Sequence, residues 1–214
     1  MTEKKDWIAI FVSILLMAII LNFKSDTLAQ IIRFFLISFM IIIFVVLAKK
    51  IAANYLDVKL NFKIWEFQRY GVEQHSHFQK PFPIGLIIPL LLALISRGWL
   101  NFLAFLQYDS YALPTKVVKR YGQRRFSEIM EWDDALIVFY SLIPLLGLGI
   151  LSIILSKYIA PIFFLQLAKV AWIYVFSNML PISQLDGTKM FFGSIPLYIF
   201  SWIIILLVWP IIFI

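Results

Sequence analysis

Six stretches of apolar side chains, residues 7–23, 28–48, 84–106, 135–155, 159–180 and 195–214, alternate with short polar segments along this chain. A helix needs about 20 apolar residues to cross a bilayer core. The pattern therefore predicts one membrane domain, residues 1–214, with about five full transmembrane helices. The remaining stretch, 84–106, is divided by Pro89 and by Ser96-Arg97-Gly98 into pieces too short to span, because Pro kinks or ends a helix and Gly weakens one. It is expected to be a broken or re-entrant segment, buried against protein and returning to the side it came from, with a kinked full crossing as the alternative. Between the second and third stretches, Val58-Lys59-Leu60-Asn61-Phe62-Lys63-Ile64-Trp65-Glu66-Phe67 alternates apolar and polar with period two, as a half-buried strand does. That predicts a hairpin at the membrane edge. The fold class is an all-α polytopic membrane protein with a small membrane-edge β element.

Composition agrees with the pattern: of 214 residues 62% are hydrophobic and 14% charged, with mean hydropathy +0.91, values that exclude a water-soluble globule. Cysteine is absent, which removes disulfides, thiolate metal sites and thiol catalysis. The net charge of +7 comes from Lys and Arg in the polar segments between spans. By the positive-inside tendency those segments, the N-terminus and the loop after residue 180 are cytoplasmic, which makes an integral, multi-pass protein. The same charge suits anionic lipid heads; membrane lipids are expected partners and nucleic acid is not. Arg33, near the start of the second stretch, is expected to snorkel to the interface. Glu128, Glu131, Asp133 and Asp134 form the charged start of the 135–155 helix, where the helix dipole favours acids.

One polar stretch interrupts the apolar C-terminal half: Asn178-Met179-Leu180-Pro181-Ile182-Ser183-Gln184-Leu185-Asp186-Gly187. An ionisable side chain beside helix-breaking Pro and Gly at a membrane helix end marks a functional site, because its burial is costly without a partner. The pattern Asn-x-x-Pro-x-x-x-Leu-Asp-Gly resembles a motif of the site-2 protease family of intramembrane zinc metalloproteases. The resemblance to archaeal members extends through Pro81-Phe82-Pro83-Ile84-Gly85, Arg97-Gly98 and Arg120-Tyr121-Gly122-Gln123-Arg124-Arg125. It implies that Asp186 stands where the family's third zinc ligand stands, and that Asn178 and Gln184 lie beside a bound peptide's extended backbone; the alternative for these two amides is capping of exposed backbone carbonyls where the helix ends.

The family's His-Glu-x-x-His motif puts two imidazoles one helical turn apart with a Glu as general base. At the matching place this chain has Val45, Val46 and Lys49. The family's second signature, Gly-Pro-x-x-Asn, keeps only Pro144, with Ile143 and Gly147 beside it. The resemblance thus implies the fold of the family with its catalytic centre dismantled. No catalytic residue is intact, no cofactor is expected, and Asp186 is a vestigial metal ligand. Pro144, Asn178, Pro181, Gln184, Leu185, Asp186 and Gly187 remain as groove and motif residues. Because an unpaired buried carboxylate is costly, Lys49 or Lys50 is expected to pair with Asp186, its ammonium standing where the zinc charge would be.

His75 and His77 alternate in an extended segment, so their side chains point to opposite faces. They are expected in a solvated loop, the minority case being a relocated zinc site with Asp186. The expected function is non-catalytic: holding a transmembrane or membrane-proximal segment of another membrane protein by groove packing and strand addition. Two alternatives stand beside it. One is an active intramembrane zinc endopeptidase with relocated ligands, with zinc as its cofactor. The other is a transporter-like protein whose broken helices meet at polar residues, against which stands the lack of paired internal repeats.

Overall fold

A computed structural model describes residues 2–24, 27–69, 77–113 and 131–213 of the chain. Most of these are helical. Helices α1 (Thr2–Leu21) and α2 (Leu28–Tyr55) pack together, joined through a single 3-10 turn, Asn22–Lys24. Strands β1 (Val58–Ile64), β2 (Phe67–Arg69) and β3 (His77–Phe82) follow, then α3 (Ile84–Ile95) and β4 (Leu106–Ala112). The second half consists of α4 (Glu131–Ser156), α5 (Pro161–Asn178), the short α6 (Asp186–Gly193) and α7 (Ile195–Phe213). Helix α4 is central, touching α2, α5, α6 and α7.

Among the described residues three helices, α2, α4 and α7, are long and apolar enough to cross a membrane, fewer than the five expected from the hydrophobic stretches. The stretches at 7–23 and 159–180 are not among the three. Helix α1 takes in the charged Glu3-Lys4-Lys5-Asp6 run, and α5 is confined to Pro161–Asn178 and carries Gln166 and Lys169. The guanidinium of Arg33 donates to Gln166 Oε1 at 3.4 Å, linking α2 to α5.

Helix α2 runs past Ala48 to Tyr55, and its buried residues, Ile37, Ser38, Ile41, Ile42, Val45, Val46, Lys49, Ala52 and Ala53, recur every three or four positions. That spacing makes one inward stripe, with Leu47 and Ile51 exposed outside it. Lys49 sits on the inward stripe.

The divided stretch 84–106 turns back on itself. Helix α3 has 12 residues, about 18 Å of rise, well short of a bilayer core. The chain then reverses through Arg97 (φ 52°) and Gly98 (φ 72°), where the Gly98 N–H reaches the Ala93 carbonyl at 2.7 Å. It returns through 101–105 with both ends of the stretch at Trp65. The Gly85 N–H donates to the Trp65 carbonyl, and the Trp65 N–H to the Phe105 carbonyl, each at 2.8 Å. A Cβ at Gly85 would lie 2.8 Å from Trp65 Cβ, so only glycine allows this approach.

The returning segment decides the strand pairing. β1 does not form a hairpin with the residues that follow it; it pairs antiparallel with β4, from Val58↔Ala112 to Ile64↔Leu106. β2 pairs with β3. The Trp65–Phe105 bond continues the β1–β4 register by one step, so the fold-back of 84–106 delivers β4 to its partner.

Candidate functional site

Pro181 has no N–H to continue α5, and the chain leaves that helix through a tight turn. The Ile182 N–H bonds the Leu180 carbonyl at 2.8 Å, Ser183 takes φ 53°, and the Leu185 N–H bonds the Ile182 carbonyl at 3.2 Å. Asp186 then opens α6, at the end where the helix dipole favours an anion. A Cβ at Gly187 would collide with the Met179 carbonyl, so glycine lets α6 start directly against the end of α5. Leu185 is buried in a small apolar cluster with Trp65 and Ala104, whereas Pro181 and Gln184 are exposed.

The carboxylate of Asp186 meets Lys49. The ammonium donates to both oxygens, at 2.7 Å to Oδ1 and 2.6 Å to Oδ2, with Lys49 1% and Asp186 7% exposed. The neighbouring Lys50 turns away, its Nζ 5.6 Å from the Trp7 ring centroid. At such burial the cost of desolvating both charges is offset by their attraction only because the contact is direct and double.

Tyr108 of β4 organises the surroundings of this pair. Its ring lies beneath two ammonium groups, with Lys49 Nζ 4.8 Å and Lys189 Nζ 3.3 Å from the centroid. Its hydroxyl donates to the Asp134 carbonyl at 3.3 Å, and its own carbonyl accepts from Lys189. Ser110 donates to the Asp134 carboxylate at 3.0 Å, and Lys189 stands 4.0 Å from the same carboxylate. Burial, reinforced by the charges of Asp134 and Asp186, raises the Tyr108 phenol well above its ordinary range, so it stays a neutral donor. Burial pulls the Lys189 ammonium down to about 8, against the opposing pull of the Asp134 and Asp186 carboxylates.

On the other side of Asp186 a cavity of about 20 Å³ is lined by Val45, Ser141, Tyr174 and Asn178 among others; it is large enough for one water. The buried Asn178 Oδ1 has no hydrogen-bond partner among the described residues, while Asn178 Nδ2 donates to the carbonyls of Leu103 at 3.3 Å and Tyr174 at 2.9 Å. With the Leu103 N–H on Ser177 Oγ at 3.1 Å, the end of α5 holds the extended segment 101–105. The Asn178 amide is thus engaged by backbone carbonyls of its own chain.

The other expected positions divide. Val45 and Val46 are buried among apolar neighbours. Pro144 is exposed on α4 and lines an apolar groove of about 650 Å³ with Phe44, Leu47, Ile51 and Tyr55 of α2 and Tyr140 of α4. His75 lies outside the described residues; His77 opens β3. Among the described residues no three His, Asp or Glu side chains converge. The residues present at the Asp186 site do not fit zinc, because the two positions that the motif resemblance assigns to imidazoles hold Val45 and Lys49, and both Asp186 oxygens accept from the Lys49 ammonium.

Tyr108, Ser110, Ser177 and Lys189 escaped the sequence reading, and the burial of Asp134 did as well. The acids at the start of α4 looked like a solvated helix end, yet Asp134 has only 19% of its side chain exposed. A weak signal existed for Lys189, which follows Asp186 by three positions on a short helix and so shares its face. Comparison of the chain with protein-family models, with characterised proteins and with solved structures finds no match.

Proposed function

We propose that this protein is a non-catalytic relative of the site-2 proteases, which holds a membrane-embedded segment of another protein without cutting it. The observation that carries the reading is the Lys49 ammonium on both oxygens of Asp186. A fixed organic cation takes the place that the motif resemblance assigns to a metal, and it can neither polarise a carbonyl as a Lewis acid nor activate a water as zinc does. The site keeps the electrostatic balance of a metal centre without its chemistry.

The groove between α2 and α4 is the seat for the partner. Its lining is apolar, its volume of about 650 Å³ takes several side chains, and Pro144 lies on its wall. The peptide-facing amide of Asn178 is already used on residues 101–105, which directs an incoming segment to the α2–α4 face. Strand addition along the β1–β4 pair is the second contact mode, limited where Lys189 caps the Tyr108 carbonyl on the β4 edge.

The reading includes five spans. Helix α1 runs against α2, and α5 packs on α4 and α7, so both lie alongside helices long enough to cross. Exposed Trp7, Ile8, Phe11 and Ile19 on α1 and Ile162 and Leu165 on α5 suit a lipid surround better than water. With the basic segments cytoplasmic, the N-terminus and the Asp186 loop are cytoplasmic and the turn after Ser156 faces outward.

Incubation of the purified protein with a model transmembrane substrate, with and without chelator, tests the reading. The expected result is capture without cleavage: a photo-crosslinker at Leu47 joins the substrate, and one at Trp209 on α7 does not. Chelator-sensitive cleavage that disappears in Asp186→Asn overturns it in favour of a zinc endopeptidase.

A further inference from the structure

A second recess lies where α1, the end of α2 and the start of β1 meet. It has a volume of about 300 Å³ and is lined by Asp6, Lys50, Asn54, Val58, Lys59 and Leu60, with Leu113 closing it. We propose that this recess binds the phosphate group of an anionic phospholipid.

Charge and position both favour this occupant. Two exposed lysines, Lys50 and Lys59, and one carboxylate, Asp6, line the recess, so these side chains carry a formal surplus of about one positive charge, the complement of a phosphodiester. Asn54 adds an amide that can donate to a phosphate oxygen. Lys50 is steered by aromatic faces, its Nζ 5.6 Å from the Trp7 centroid and 6.0 Å from that of Phe62, which orients the ammonium without neutralising it. The recess lies in the last turns of α2, a helix long enough to span, and so at the depth of the headgroups. Trp7, 61% exposed, fits the aromatic belt of that zone. The exposed Trp7 and Ile8 side chains that follow Asp6 on α1 give acyl chains a surface that a free phosphate ion does not need. Basic pockets among membrane helices recognise anionic headgroups on these grounds. The inference depends on the chain lying in a membrane and not on the partner-holding reading.

Native mass spectrometry of the purified full chain in mixed micelles tests it, with phosphatidylglycerol and phosphatidylcholine as probes and inorganic phosphate as competitor. Phosphatidylglycerol is expected to bind about tenfold more tightly than phosphatidylcholine. That preference is expected to vanish in Lys50→Gln/Lys59→Gln and to survive in Lys157→Gln, which alters an exposed lysine beyond the far end of α4. Both recess lysines are exposed, so the double variant keeps its fold, which an unchanged melting temperature verifies. Equal binding of the two lipids, a preference that persists in the double variant, or displacement of phosphatidylglycerol by equimolar inorganic phosphate overturns the proposal. Crosslinking of a partner from Leu47 is unchanged by these variants, so failure here and failure of the partner reading are distinguishable.

Discussion

Lys49 and Asp186 show how single residues define this site. Each is tolerable in the interior only because of the other, and removing one partner of a buried pair costs about 3–5 kcal/mol. Lys49→Met and Asp186→Asn are each expected to lower stability by an amount in that range, and the double variant by clearly less than the sum. A double-mutant cycle on unfolding in detergent measures the coupling, and additive effects would show that the two charges do not depend on one another. Lys189 gives a pH signature. Its folded value is about 8 against an unfolded value near 10.5, so between those values the unfolded chain binds more protons and stability rises with pH. The neutral Tyr108 phenol, raised in the folded state, opposes this only above about pH 10. Stability is therefore expected to increase from pH 8 to pH 10, and Lys189→Met should flatten that slope in thermal unfolding profiles.

At the scale of elements, the junction of α5 and α6 depends on backbone fit. Gly187→Ala drives a Cβ into the Met179 carbonyl and is expected to cost several kcal/mol, on the order of other severe backbone and packing defects. Gly147→Ala meets open space and is expected to be neutral or to stabilise α4 by up to about 1 kcal/mol. Thermal melts of the two variants, side by side, check both. Asn178 was legible in the sequence as the end of a helix, from the Pro181 that follows it. Its use to hold Leu103 was not, because nothing local links residue 178 to an extended segment far upstream. The alternation in Val58–Phe67 announced β1 correctly through Ile64. It said nothing of β4, whose Leu106-Gln107-Tyr108-Asp109-Ser110-Tyr111-Ala112 lacks a clean period of two.

For the whole molecule, the proposed topology is open to direct labelling because the chain has no cysteine. Lys157→Cys, in the exposed turn after α4, is expected to react with an impermeant thiol reagent from outside intact cells. Gln184→Cys, exposed beside Asp186, is expected to react only after permeabilisation. The reverse pattern would invert the topology, and labelling of both from outside would remove a span between them. Periodicity, composition and charge alone established a helical membrane chain, the break at Ser96-Arg97-Gly98 and the isolation of Asp186 in an apolar half, because each is a property of neighbouring residues. Tertiary structure alone decided that Lys49 rather than Lys50 meets Asp186 across 137 positions. Adjacent residues on a helix point about 100° apart, and only the rotation of α2 against α4 and α5, set by packing of its inward stripe, determines which of two lysines faces the core.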